Sequence, residues 1–231
     1  MDAALSSSSP ENEMIFSWQD RLGSQRSEAE KQLSGDPAEF VTKYWSCQSQ
    51  AILHEVAPHS DEYNWVFRLF NAAPREPPNY QPGVVSWSQT RIVKIERVQN
   101  SSLMQGFKTY YKKLEALFQQ AGLEFVPNVH TRWAFHGTDA TDAIVSDPLT
   151  GFQPLVSGSR LGTLWGAGTY FGRDARYVVE SNFVQPGKDG TKKMMLCLVA
   201  IGIPCLGDAA HKGILPYRNG RPPLKYNSTV D

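Results

Sequence analysis

The spacing of hydrophobic residues predicts helices in the first half of the chain. Residues 36–39 (Asp-Pro-Ala-Glu) supply an N-cap, a proline at the first helical position and a capping-box acid, and they predict a helix over about 37–53. A second helix is predicted from Asp61 to just before Pro74, where proline ends the apolar pattern. The apolar positions are Phe40, Tyr44, Cys47 and Ala51 in the first helix and Tyr63, Val66, Phe67 and Phe70 in the second.

A third helix separates this half from a strand-rich region. Residues 91–98 are rich in β-branched side chains and predict a strand; Asn100 or Ser101 then caps a helix, with Gly122 as its C-terminal stop. Residues 194–202 are apolar enough to predict a central buried strand. Helices that precede strands, without βαβ alternation, predict an α+β fold. The apolar stripe of the third helix is Leu103, Phe107, Tyr111, Leu114 and Leu117 or Phe118.

Composition and charge narrow the class of protein. The first 35 of the 231 residues are rich in Ser, Glu and Gln and predict a disordered tail, which leaves one domain over 36–231. The formal net charge is zero, so neither nucleic acid nor a membrane surface is an expected partner. The three cysteines lack metal-ligand spacing, and no secretion signal or membrane-length apolar run is found. We therefore expect a cytoplasmic or nuclear protein without a metal cofactor.

Two polar features interrupt the strand-rich region. The first is His136 at the end of an apolar strand, followed by Gly137 and Thr138. By itself, such a histidine is more often a satisfied core or turn residue than a ligand contact. The second covers residues 162–171, Gly-Thr-Leu-Trp-Gly-Ala-Gly-Thr-Tyr-Phe, and it fails the dinucleotide fingerprint because Phe171 stands where the last glycine is required. A P-loop and local hydrolase signatures are also absent from the sequence.

Together and in this order, the two features resemble the catalytic domain of the poly(ADP-ribose) polymerase family, the diphtheria-toxin-like ADP-ribosyltransferases. Residues 60–64, 94–100 and 226–231 are similar to further motifs of that family, so the resemblance covers about residues 40–231. It implies N-terminal helices followed by a mostly antiparallel two-sheet core, with NAD⁺ as co-substrate. In the family, the last of these motifs leads into a strand that carries a third catalytic residue. We therefore expect the last strand or strands to be missing from the domain.

The resemblance also implies a role for each motif residue. His136 and Tyr170 would be catalytic: His136 orients NAD⁺ through its adenosine-side ribose, and Tyr170 stacks on the nicotinamide ring. Without the surrounding motif, Tyr170 would be interpreted as a core aromatic residue. Gly137 would present its backbone N–H and C=O to the nicotinamide carboxamide. The implied NAD⁺-binding set is His136, Gly137, Thr138, Gly168, Tyr170, Phe171, Tyr177 and Phe183.

One departure from the family pattern bears on activity. Val178 stands where family members often have a serine that donates a hydrogen bond to the carboxamide, and losing that bond costs about 0.5–1.5 kcal/mol. The His-Gly-Thr form and the Ala-Arg-Tyr spacing at 175–177 favour the mono-ADP-ribosylating branch. The expected function is transfer of single ADP-ribose units to protein side chains, the chain itself included, with release of nicotinamide. The alternative is a catalytically inactive NAD⁺-binding or interaction module, motivated by Val178 and by the end of the sequence at Asp231.

Overall fold

A computed structural model describes residues 39, 42–45, 52–72, 86–146, 151–152, 165–181, 183–211, 215–218 and 225–230. Helices and strands are mixed in these residues, which confirms the α+β class. Glu39 and Thr42 are helical and lie before β1, which in turn precedes the helices named here. The elements in chain order are β1 (Ile52–Glu55), α1 (Asp61–Asn71), a 3-10 helix (Trp87–Gln89), β2 (Glu96–Gln99), α2 (Ser101–Gln120), β3 (Thr131–Gly137), α3 (Thr141–Ser146), α4 (Ala175–Glu180), β4 (Met194–Ala200), β5 (Pro204–Leu206) and β6 (Ser228–Val230).

The strands among the described residues form three pairs. β1 pairs with β2 and β3 with β4, both antiparallel, while β5 and β6 run parallel. The β3–β4 ladder is the longest and runs from Thr131 opposite Ala200 to Gly137 opposite Met194. His136 therefore lies near one end of the longest ladder, where the strand leads into a loop.

The second and third predicted helices are confirmed by their caps. α1 begins at Asp61, and the Ser60 hydroxyl accepts a hydrogen bond from Tyr63 N at 3.1 Å. α2 begins after Asn100, whose Oδ1 accepts from Leu103 N at 3.1 Å. Gly122 follows the end of α2 with φ +68°, the left-handed conformation that suits a glycine after a helix. The buried residues of α2 are Tyr111, Leu114 and Phe118, all from its predicted apolar stripe.

The predicted helix over 37–53 is wrong at its C-terminal end. Glu39 and Thr42 are helical, but Lys43 and Tyr44 form a turn, and residues 52–55 are β1. The pairing of β1 with β2 supplies backbone hydrogen bonds from a segment more than 40 residues away, and this tertiary contact outweighs the local helical spacing. The side chains of Phe40, Cys47 and Ala51 lie outside the described residues.

Two strand predictions also need correction. The strand expected over 91–98 begins only at Glu96, because the β1–β2 ladder ends where Glu55 faces Glu96; Val93 is 72% exposed. The strand expected over 194–202 forms as β4, but its residues are only half-buried and it pairs with β3 alone within the described residues. β4 is therefore not a central buried strand in the part of the chain that the structure describes.

The hydrophobic core joins α1, β3 and α4. The indole rings of Trp65 on α1 and Trp133 on β3 meet edge to face, with centroids 4.8 Å apart. The core thus fixes one face of the strand that carries His136. No helix within the described ranges is long and apolar enough to cross a membrane. The buried core residues are Trp65, Leu69, Phe70, Trp133, Phe135, Ala175 and Val178.

Candidate active site

His136 and Tyr170 lie at the same end of β3 and are joined by a hydrogen bond. The distance from His136 Nδ1 to the backbone oxygen of Tyr170 is 2.6 Å. A carbonyl oxygen only accepts, so Nδ1 carries the proton, and in the neutral ring Nε2 is left as an acceptor. Burial lowers the pKa of His136, although its hydrogen bond to Tyr170 acts in the opposite direction. The imidazole is therefore neutral at pH 7, with one lone pair available to a ligand.

Two phenylalanine rings hold the His136 ring in place. Its centroid lies 5.0 Å from that of Phe152 and 5.4 Å from that of Phe171, and the two phenylalanines are themselves 5.4 Å apart. Phe171 was among the predicted site residues. Phe152 was missed, because it lies in a loop without a motif and its place beside His136 depends on how that loop folds back.

Tyr170 is not a core residue. It is 37% exposed, and its hydroxyl accepts from Trp165 N at 2.9 Å and donates to Gly166 O at 2.6 Å. Residues 165–170, which we call the Tyr170 loop, are thus closed on themselves by the tyrosine hydroxyl. The Tyr170 ring is therefore partly exposed to solvent. The backbone holds one end of this side chain, and the two hydrogen bonds of the hydroxyl hold the other.

Gly137 lies against Val178, the residue that departs from the family pattern. A Cβ atom at Gly137 would come within 2.5 Å of Val178 Cγ1 and 2.9 Å of Val184 Cγ2. Val178 is 2% exposed, and its other methyl group would lie 2.8 Å from a Cβ at Gly172. Packing of Val178 therefore requires glycine at 137 independently of any ligand.

The remaining predicted residues fall into separate places. Tyr177 and Phe183 meet edge to face at 5.6 Å, and a Cβ at Gly137 would lie 3.2 Å from Phe183 Cβ, so this pair borders Gly137. Thr138 has a structural contact, since its Oγ1 accepts from Ala140 N at 3.2 Å in the turn that follows β3.

Gly168 has open space at its Cβ position, with no atom within 4 Å. The described side chains include no group of three or more His, Cys, Asp or Glu that could hold a metal ion. The geometry thus presents a neutral histidine and an open glycine-rich loop, which suits an organic ligand with a ring and hydroxyl groups.

These observations agree with a comparison of the sequence with known families. The sequence pattern of the poly(ADP-ribose) polymerase catalytic domain matches residues 60–210, about two thirds of the chain, and includes both motifs. The chain belongs to this family.

Several individual proteins are also similar to the chain. It is 28% identical over 193 residues to the human protein mono-ADP-ribosyltransferase PARP14, covering 82% of this chain and 9% of that protein. It is 34% identical over 153 residues to the human protein mono-ADP-ribosyltransferase PARP12, covering 65% of this chain and 18% of that protein. A probable poly(ADP-ribose) polymerase of Dictyostelium discoideum is 29% identical over 167 residues, which are 72% of this chain and 44% of that protein. The chain spans less than half the length of each of these relatives.

Proposed function

We propose that this chain transfers single ADP-ribose units from NAD⁺ to protein side chains and releases nicotinamide. The observation that carries the proposal is the 2.6 Å hydrogen bond between His136 Nδ1 and Tyr170 O, which joins the two family motifs at one end of β3. Membership of the family, with relatives that are named as mono-ADP-ribosyltransferases, supports an enzyme over a non-catalytic module of the same fold.

Each residue has a task that suits its geometry. His136 Nε2 accepts a hydrogen bond from a hydroxyl of the adenosine-side ribose and so orients NAD⁺. The exposed part of the Tyr170 ring stacks on the positively charged nicotinamide, an attraction of roughly 1–2 kcal/mol when desolvated. Gly137 is the candidate partner of the carboxamide, with the Tyr177 and Phe183 rings beside it.

The transfer itself breaks the bond between nicotinamide and ribose. The electron pair goes to the nicotinamide nitrogen, and the ribose carbon becomes oxocarbenium-like and is attacked by the protein nucleophile, whose proton passes to solvent. Nicotinamide loses its positive charge as it leaves, so the stack on Tyr170 favours bound substrate over the transition state. Tyr170 should therefore govern KM more than kcat, while the protein as a whole contributes orientation and charge placement.

A labelling experiment tests the proposal. The purified chain is incubated with a labelled NAD⁺ analogue and an added protein acceptor, beside the variants His136→Ala and Tyr170→Ala. With the analogue kept below its KM, we expect label on the chain or the acceptor in the parent and little in either variant. Folded protein that binds NAD⁺ but transfers no label would favour the inactive module instead.

Three finer points belong to the same proposal. We propose that residues 36–231 form the transferase domain and that the described strand pairs are parts of its two-sheet core; the composition of residues 1–35 predicts a disordered tail. The tail lies outside the described residues, and its prediction rests on the amino-acid composition alone. Limited proteolysis tests the boundary: cleavage within 1–35 should leave a fragment that binds NAD⁺ as the whole chain does.

Location and partners are likewise part of the proposal. The cysteine content supports a reducing compartment, cytoplasm or nucleus, and the partners are protein acceptors. Microscopy of a tagged chain tests the first point. Mass spectrometry of labelled proteins, the chain included, tests the second.

A further inference from the structure

A turn far along the chain packs on the Tyr170 loop. Residues 207–211, which we call the 207–211 turn, follow β5, and the backbone oxygen of His211 accepts a hydrogen bond from Ala167 N at 2.8 Å. Gly166 has φ +100°, and a Cβ there would lie 2.7 Å from both Cβ and the backbone oxygen of His211. The two backbones approach so closely that only glycine fits at this point.

The same turn also supports the Trp165 side chain. A Cβ at Gly207 would lie 2.7 Å from Trp165 Cβ and 2.9 Å from Cε3 of its indole ring. Trp165 in turn donates its backbone N–H to the Tyr170 hydroxyl at 2.9 Å. Gly207 is therefore connected to Tyr170 through Trp165, which contacts Gly207 and donates a hydrogen bond to the Tyr170 hydroxyl.

The turn is itself fixed to the β5–β6 pair. Gly207 N donates to Val230 O at 2.9 Å, and Thr229 Oγ1 on β6 donates to Trp165 O at 3.4 Å. A continuous set of backbone contacts thus leads from the parallel strand pair through the 207–211 turn to the loop that presents the tyrosine.

We propose that the 207–211 turn is a positioning element for substrate: it holds Trp165 and Gly166 so that the Tyr170 ring faces the nicotinamide. The inference rests on the proposed function for the identity of the substrate. It goes beyond that function in assigning a positioning role to Gly207 and His211 through their contacts with the Tyr170 loop. The Tyr170 hydroxyl then serves the loop, and only its ring serves the substrate.

Gly207→Ala tests the proposal with a single methyl group. Gly207 has no positive φ, so alanine is compatible with the backbone, and the added carbon displaces Trp165. The matched control is Gly106→Ala on α2, where no atom lies within 4 Å of the added carbon. We expect KM for NAD⁺ to rise about tenfold in Gly207→Ala with kcat changed less than about threefold, and neither to change in the control.

Hydrogen exchange provides a readout that needs no substrate. The amides of Trp165 and Ala167 should exchange faster in Gly207→Ala and in Tyr170→Phe, which keeps the ring and removes the hydroxyl, but not in Gly106→Ala. Unchanged exchange and unchanged KM in a folded Gly207→Ala would overturn the positioning role. A parent that binds no NAD⁺ would overturn the proposed function instead, and the exchange rates would then decide whether the turn holds the loop.

Discussion

A histidine lies at each end of β3. The two histidines have similar surroundings but different roles. His130 directly precedes the strand and His136 is its penultimate residue. Each ring contacts two phenylalanine rings, and each uses Nδ1 to bond to the backbone. Composition and neighbours would not distinguish the two ends. The phenylalanines are Phe118 and Phe125 for His130, and Phe152 and Phe171 for His136.

The hydrogen-bond direction separates the two residues. His130 Nδ1 accepts from Val126 N at 2.9 Å, so its proton is on Nε2, whereas His136 Nδ1 donates to Tyr170 O. His130 is 4% exposed, and burial lowers its pKa to about 4, while His136 stays half-buried at the edge of the candidate site. A histidine contributes to the fold when its acceptor nitrogen is bonded to the backbone, and its acceptor is left for a ligand when the backbone bonds the donor nitrogen instead.

The largest effect on stability should come from His130. His130→Ala leaves a cavity beside Phe118 and removes the partner of the partly buried Val126 N–H, so we expect the free energy of unfolding to fall by about 2–4 kcal/mol. Urea denaturation measures this. His130→Asn retains an acceptor near the position of Nδ1 and should recover part of the loss; equal losses in both variants would contradict a role for the acceptor.

The largest effect on function should come from His136. We expect His136→Ala to reduce transfer about 100-fold, a change of about 2.7 kcal/mol, with a smaller loss of stability than in His130→Ala because His136 is only half-buried. Two variants separate its nitrogens: Asn keeps a donor for Tyr170 O, and Gln keeps an acceptor near Nε2. If binding depends on Nε2, His136→Gln should retain more NAD⁺ affinity than His136→Asn; the reverse order would indicate that the bond to Tyr170 is what matters.

The stability of the fold should decrease in acid because His130 is buried. The unfolded chain binds a proton at His130 near its ordinary pKa of 6.5, but the folded protein does so only at about 4. The unfolded state therefore holds more protons between these values, and stability is lost as pH falls from 6.5 towards 4, by about 2 kcal/mol. Denaturation curves at pH 7 and pH 4.5 measure the loss. It should shrink in His130→Asn, and an equal loss there would assign it to other groups.

The smallest effect concerns Val178, beside Gly137 at the His136 end. Val178→Ser and Val178→Ala both remove methyl groups from the core and should both destabilise the fold. Only serine offers a donor, so we expect it to bind NAD⁺ about threefold to tenfold more tightly than alanine does. Calorimetric titration of the two variants measures the difference. Equal affinities would place the carboxamide out of reach of residue 178.

Much of the local structure could be predicted from the chain, and the failures share one cause. α1 and α2 begin where Ser60 and Asn100 supply side-chain caps, because a cap is a contact over three residues. β1 was mistaken for the end of a helix, because its partner β2 lies more than 40 residues away. That the two motifs together bind one ligand remains a prediction. The structure does bring them together, through the hydrogen bond between His136 Nδ1 and the backbone oxygen of Tyr170.

The sequence by itself determined the family and the α+β class and predicted the residues of the site, because motifs, caps and periodicity are properties of neighbouring positions. The tertiary structure decided the rest. It placed Phe152 beside His136, buried Val178 against Gly137, and brought the 207–211 turn to the Tyr170 loop. It also gave His130 and His136 opposite tautomers, since the proton of an imidazole follows the group that the fold places next to it.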